Sequence, residues 1–345
     1  MSVVDVHAHW FAPEWVELLE REGNANGAKM GKNDKGVSTI TIPGVALVSS
    51  FPPDMVDLDR MVKAMDEAGI DIRLFSLTNP MINWAPPEFG ARLARAFNDA
   101  CAAAYAKYPR RFRGAMTLPM QAPEVALKEL QRAATLPGIC AVYMSMHVNG
   151  SNLDDQSFWP VYAQCEALGL PLCLHPVNPC GLERLARYHT RNLIGNPHEA
   201  AIAAADLMFG GVLDAFPRLE VVLPHAGGSF PWLIGRFDNG VATRKRELGH
   251  MKEPASSYVR RFYYDTISHH PQIMRYLIEM VGIDRILVGS DYNMDAGYPR
   301  PVEFVDRIPG LTPDERKAIL EGNAARLLRL SDKIRDLTSK GSSSM

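Results

Sequence analysis

No stretch of about 18 consecutive apolar residues occurs in the 345-residue chain, which excludes an ordinary transmembrane helix. The opening residues, Met1 to Trp10, lack both a basic n-region and a long apolar h-region, so they are not read as a signal peptide. Excess charge of either sign is missing too. A net charge of −2 offers no global basic field to nucleic acid or an anionic membrane, although a local basic patch still suits a small anionic substrate. Cysteine is scarce. The five residues Cys101, Cys140, Cys165, Cys173 and Cys180 form no CxxC pair and keep no regular spacing, which points to reduced thiols in a cytoplasm. Cys173 alternates with His175 across Leu174, and it reads as a small buried apolar residue ahead of a site residue. Low complexity is confined to Lys340–Met345, and no solenoid repeat is visible.

What is present is an ordinary globular composition, 47% apolar and 22% charged, long enough to bury a large core. Short apolar runs read as strands: Val3–His9, Ile72–Ser76, Arg113–Thr117, Ala141–Ser145, Leu172–His175, Leu219–Pro224, Phe262–Asp265 and Arg285–Gly289. Helical periodicity fills the intervals, at Asp57–Ala68, Pro87–Tyr108, Ala122–Leu136, Gln156–Leu168, Pro197–Ala215, Pro231–Leu248, Pro271–Val281 and Thr312–Leu330. Strand–helix alternation implies parallel strands with right-handed crossovers, and this many units fit an α/β fold of the (β/α)8 TIM-barrel type. A doubly wound sheet would want a glycine-rich phosphate turn after its first strand, where this chain has Trp10-Phe11-Ala12-Pro13. The expected organisation is one barrel domain over 1–335 and a flexible tail over 336–345. The segment 12–53 is too long for a βα loop. It contains Val37–Ile42 and Val45–Val48 around Pro43-Gly44, and reads as a small β insertion over the barrel mouth.

Chemistry concentrates at the strand ends. Asp5, His7 and His9 alternate with Val4, Val6 and Ala8, so period-two geometry predicts the polar set on the inward face and the valines toward the helices. Two imidazoles on neighbouring inward positions can reach one ion, and neutral imidazole suits zinc and its neighbours. A lone His-x-His equally suits two satisfied polar residues at a strand end. Further strands, however, end in His175, His225 and Asp291. In a barrel these ends share the rim where active sites lie, and unpaired polar groups there are costly as mere packing.

These residues carry a resemblance. Asp5-Val-His-Ala-His9, His175-Pro176, His225-Ala-Gly-Gly-Ser-Phe230 leading to Gly235-Arg236, and Gly289-Ser-Asp-Tyr292, in this order, resemble the decarboxylase-like branch of the amidohydrolase superfamily. The similarity runs from the first strand to Gly322-Asn-Ala-Ala-Arg326, and its nearest pattern is that of the aminocarboxymuconate-semialdehyde decarboxylases. It implies one divalent ion, usually zinc, held by His7, His9, His175 and Asp291 with water in an open position. By the same resemblance His225 is the general acid/base and Asp291 orients the water. The fourth strand, Ala141–Ser145, offers no lysine for a second metal. Arg236 is implied as a substrate contact serving the neighbouring protomer of a homodimer or higher homo-oligomer, with pairing to Asp238 or Glu247 as the plain alternative.

Two departures stand out. The family's other substrate arginine, in the insertion, has no counterpart; the equivalent position is near Ser49, and Lys29, Lys32 or Lys35 are the available cations. After the last strand the chain reads Tyr292-Asn293-Met294, making Tyr292 and Asn293 candidate substrate contacts. Arg300 and His198 are weaker ones, and Asp265 is a polar rim contact. The leading function is a metal-dependent non-oxidative decarboxylase of a small unsaturated or aromatic carboxylate. A hydrolase or hydratase with the same ligands is the alternative, and a non-catalytic binding barrel is a third class that the extra histidine His225 disfavours.

Overall fold

The computed structural model describes residues 2–45 and 48–330. The tail expected over 336–345 lies outside the described residues, as do Ala46 and Leu47 of the expected hairpin. Eleven strands are named here in chain order: β1 (Val4–His9), β2 (Lys29–Lys32), β3 (Ser38–Thr41), β4 (Val48–Ser50), β5 (Ile72–Ser76), β6 (Phe112–Thr117), β7 (Ile139–Ser145), β8 (Leu172–His175), β9 (Val221–Leu223), β10 (Phe262–Asp265) and β11 (Ile286–Leu287). Eight of them form one parallel sheet in the order β1-β5-β6-β7-β8-β9-β10-β11. The ring closes because Val6 N–H donates to Val288 O at 2.9 Å, Asp291 N–H to His7 O at 2.8 Å and His9 N–H to Tyr292 O at 2.7 Å. The fold is therefore the (β/α)8 barrel that the alternation predicts.

The expected helices form with local reasons for their ends. Asp57 caps the helix Leu58–Ala68 by accepting from the N–H groups of Asp59 and Arg60, and Gly69 stops it in the left-handed region at φ 70°. The long periodic stretch after Thr312 begins with a capping box between Thr312 and Glu315 but is interrupted by a π-helical turn at Ala318–Gly322. No helix among the described residues is long and apolar enough to cross a membrane.

Two apolar layers sandwich the barrel wall. Every barrel strand contributes to the inner one: Val4 and Val6, Ile72 and Leu74, Ala115, Tyr143, Cys173, Val222, Tyr263 and Leu287. Leu327, Leu328 and Leu330 pack beneath as a floor. This overturns one expectation. Val4 and Val6 face the interior rather than the helices, and Asp5 faces outward, where its carboxylate accepts from Arg73 Nε at 3.1 Å and Ser290 Oγ at 2.6 Å. The cause is a register shift between Asp5 and Ala8 in the pairing with β5, which breaks strict alternation and turns His7 and His9 back inward.

The insertion is more than a hairpin. A helix, Pro13–Glu22, leads it and buries Trp15, Leu18 and Leu19. Its amphipathic pattern is short and follows directly on a strand, which hides it in the sequence. Then β2, β3 and β4 form a three-stranded antiparallel sheet in register Lys29↔Thr41 and Ile40↔Ser49.

Candidate metal centre

The five strand-end residues singled out by sequence converge at one place. One donor atom each from His7, His175, His225 and Asp291 lie within 4.8 Å of one another. His9 joins them: its Nε2 is 2.9 Å from Asp291 Oδ1, and its ring centroid is 4.8 Å from that of His175. All but His225 are buried.

The hydrogen-bonding around the cluster fixes which ring nitrogens carry protons. His7 Nδ1 donates to Asp265 Oδ2 at 2.7 Å, leaving its Nε2 buried, without a hydrogen-bond partner, 3.4 Å from Asp291 Oδ1. Ser76 Oγ donates to Ala8 O at 2.8 Å and so accepts from His9 Nδ1 at 3.0 Å. His9 Nε2 is then a bare acceptor facing a carboxylate oxygen. Lone pairs of two imidazoles and a carboxylate pointed at each other repel unless a cation lies among them, either a proton or a metal ion. His175 Nδ1 is also buried and unpartnered. Nitrogen and carboxylate donors fit a divalent transition-metal ion.

Electrostatics point the same way. Burial, reinforced by the neighbouring histidines, holds the His175 pKa well below its ordinary value, so it stays neutral and free to ligate. His9 is lowered by burial despite its contact with Asp291. Burial works against charge on His7 as well, yet the hydrogen bond it donates to Asp265 and the charge of Asp291 raise it. Burial works against charge on Asp291 too, yet its contacts with His225, His7 and His9 hold it well below the usual carboxylate range.

Asp265, at the end of β10, is the organiser. Besides His7 it accepts from His225 N–H at 3.0 Å and, through Oδ1, from Ala226 and Ile267 N–H at 2.8 and 3.0 Å. Its pKa is lowered despite burial, mainly by the bond to His7. A carboxylate behind a metal-facing histidine sets its tautomer and orientation. The same carboxylate sits in a nest of N–H groups built by a run of positive φ, at His225, Ala226, Gly227 and Gly228 (55°, 55°, 75° and 56°). Glycine is required at 228, where a Cβ would come within 1.7 Å of Pro197 O.

His175, His225 and Asp291 open into a cavity of about 640 Å³. A larger cavity, about 860 Å³, borders Gly44, Trp84 and Asn149 but contains none of the five converging residues, and the donors locate the chemistry in the smaller one. Ser49, Thr78, Asn79 and Asn196 line the smaller cavity, each with a buried oxygen lacking a hydrogen-bond partner. Such a lining asks for a polar ligand.

The other sequence candidates divide. Asn293 lines this cavity. Tyr292 does not: Asp291 points inward, so its neighbour points out, where the ring covers the Arg73 guanidinium at 4.2 Å and its hydroxyl donates to Asp54 O at 3.1 Å. Arg236 is exposed, does not line its own chain's cavity and pairs with neither alternative partner, since Asp238 accepts from Ser256 N–H and Glu247 from Arg244. Arg300 pairs with Glu303, His198 bonds Ser229, and Lys29, Lys32 and Lys35 are exposed away from the cavity. Sequence reading passes over Arg191, Asn196 and His189, which reach the cavity from the connection between Pro176 and Asn196. The length of that connection is the available signal.

The family model described as Amidohydrolase matches residues 4–330. The chain belongs to the amidohydrolase family. Among curated relatives, the 2-amino-3-carboxymuconate-6-semialdehyde decarboxylase of Dictyostelium discoideum is 29% identical to this amidohydrolase, over 95% of this chain and 91% of its own. The gamma-resorcylate decarboxylase of Polaromonas sp. is 32% identical over 79% and 87%. A crystal structure of dihydroxybenzoic acid decarboxylase from Polaromonas sp. JS666, with bound manganese and the inhibitor 2-nitroresorcinol, superposes with a TM-score of 0.76 at 28% identity, covering 96% of this chain and 97% of that one. All three relatives are named as decarboxylases, and this amidohydrolase is an enzyme whose His/Asp cluster could hold a divalent metal ion.

Proposed function

We propose that the enzyme removes CO2, without oxidation, from a small aromatic or unsaturated carboxylic acid. The observation carrying this reading is a buried set of convergent imidazole and carboxylate donors opening into a polar cavity, with His225 beside them on the cavity wall. His7, His9, His175 and Asp291 are the residues that would hold one divalent ion, and the ion would polarise the bound acid as a Lewis acid. Imidazole and carboxylate donors suit zinc and manganese alike, and manganese is the ion in the solved Polaromonas relative. Metal analysis of protein purified without chelator reads the identity.

The chain's own residues supply the rest. His225 Nε2, 3.8 Å from Asp291 Oδ2, delivers a proton to the ring or alkene carbon that bears the carboxylate. The bond to the carboxyl carbon then breaks, its electron pair returns to the ring, and neutral CO2 leaves. Asp265 holds the His225 backbone so that the imidazole stays aimed. Positioned proton transfer of this kind contributes on the order of 10²–10⁴-fold.

Assembly is part of the reading. Trp232, 58% exposed, stacks on Tyr276 at 4.8 Å, with Leu193 and Ile194 also exposed. Arg236 lies four residues on, on the same helical face. An apolar patch of this kind supports a homodimer whose Arg236 reaches the partner's cavity.

The test is a panel of hydroxybenzoates and ring-cleavage acids with the metal-loaded enzyme, followed by ultraviolet absorbance and CO2 detection. CO2 with one organic product is expected. Two organic fragments, or a hydrated acid without CO2, would establish the hydrolase or hydratase alternative. His225→Ala is expected to retain about one metal per chain while turnover drops by roughly 10²-fold or more. Metal loss in that variant would make His225 a ligand instead.

A further inference from the structure

The cavity over the metal donors contains a second centre of positive charge. Arg191 opens a π-helical turn, Arg191–Gly195, in the long connection after β8, and its side chain lines the cavity together with His175, His225 and Asp291. It is the one arginine or lysine among the described residues of that lining. Its Nε is buried without an acceptor, and no carboxylate pairs with it among the described residues. Besides Asp291 the lining has one further carboxylate among the described residues, the exposed Asp295, which lies 3.5 Å from His189 Nε2 and does not pair with Arg191. Burial also presses the guanidinium pKa down, the mark of a cation left without compensation. Single-turn π-helices recur at functional sites, and here one brings the cation to the cavity from a segment outside the barrel wall.

A half-buried guanidinium without a counter-charge costs free energy until a ligand supplies the acceptor. Its planar fork matches a carboxylate with two parallel hydrogen bonds. Which carboxylate it takes follows from the chemistry. Decarboxylation turns an anionic group into neutral CO2, so an arginine clamped on the departing group would stabilise the ground state more than the transition state. An arginine that helps must hold a carboxylate that stays.

We propose that Arg191 binds a second, non-reacting carboxylate, making the preferred substrate a small dicarboxylic acid that spans the metal donors and Arg191. The inference rests on the decarboxylase reading for the role of the first carboxylate. It also accounts for the missing cation near Ser49: the positive charge enters the cavity from the β8 connection instead of the insertion.

The experiment compares binding of three isomeric probes, 2-hydroxyisophthalate, 4-hydroxyisophthalate and hydroxyterephthalate, with salicylate, which carries the same hydroxy acid but no second carboxylate. Calorimetry is run on manganese-loaded wild type, R191Q and R191K. Wild type is expected to bind at least one dicarboxylate roughly tenfold tighter than salicylate, R191Q to lose that preference while salicylate affinity moves less than about threefold, and R191K to keep part of it. A preference that persists in R191Q, or none in wild type, overturns the assignment. An equal loss for salicylate and the dicarboxylates in R191Q overturns it as well, marking Arg191 as structural. CO2 release by wild type is scored separately. A dicarboxylate preference that depends on Arg191, with no CO2 from any acid, sinks the decarboxylase reading and leaves the Arg191 site standing.

Discussion

At the scale of single residues, the centre is governed by what stands behind the donors. Asp265 bonds His7 and the backbone that carries His225, so one carboxylate holds both a donor histidine of the cluster and the histidine proposed to move the proton. Asp265→Asn is expected to weaken metal affinity roughly 10- to 100-fold, measured by competition with a chelating dye, because the amide no longer fixes the His7 tautomer. Unchanged affinity would remove Asp265 from that role. The metal-free protein is expected to lose stability on acidification. His175 and His9 are depressed from 6.5, so the stability tied to their neutral forms is present above 6.5 and is lost as pH falls from there through their folded values. Asp265 and Asp291, depressed from 3.8, add a second loss below 3.8. His7 is raised and has the opposite sign: its contribution is full below 6.5 and fades as pH rises through its folded value, one group against two. Thermal melts of chelator-treated protein from pH 7.5 to 5 test the balance, and a rising Tm on acidification would contradict it.

At the scale of elements, legibility tracked how local the determinant is. Strand ends such as His175 and Asp265 were readable because a short apolar run simply stops on a polar residue. Alternation along β1 misled, since the register shift that turns His7 and His9 inward depends on pairing with β5, which no local pattern encodes. The helix Pro13–Glu22 hid inside what reads as a β insertion, and Arg191 hid in a connection with no periodicity of its own. The turn after β9 makes the most exposed prediction. Gly228→Ala places a methyl group against Pro197 O in a left-handed conformation, so a drop in Tm is expected together with lost turnover as the His225 turn is displaced. Full activity with wild-type Tm would show that the turn yields.

For the whole molecule, the barrel explains why residues separated by more than two hundred positions meet, as His9 and Asp291 do at 2.9 Å. The common rim was foreseeable once the fold was, whereas the outer apolar patch was not, since Trp232, Tyr276 and Leu193 come from separate segments. If the patch seats a second copy as proposed, Trp232→Glu shifts the protein to monomer in light scattering and reduces turnover, because Arg236 would no longer reach a partner. A monomeric variant with full turnover would limit the patch to assembly alone.

The apolar floor has a consequence for kinetics. Leu327, Leu328 and Leu330 close the barrel beneath Val4 and Val6, while His175, His225 and Asp291 open into the cavity at the opposite end. On the proposed reading, an ion at the centre and the substrate acid would share the one route through that cavity. A bound acid acts as a stopper: with the cavity filled, the exchange of anything below it waits on the departure of what lies above.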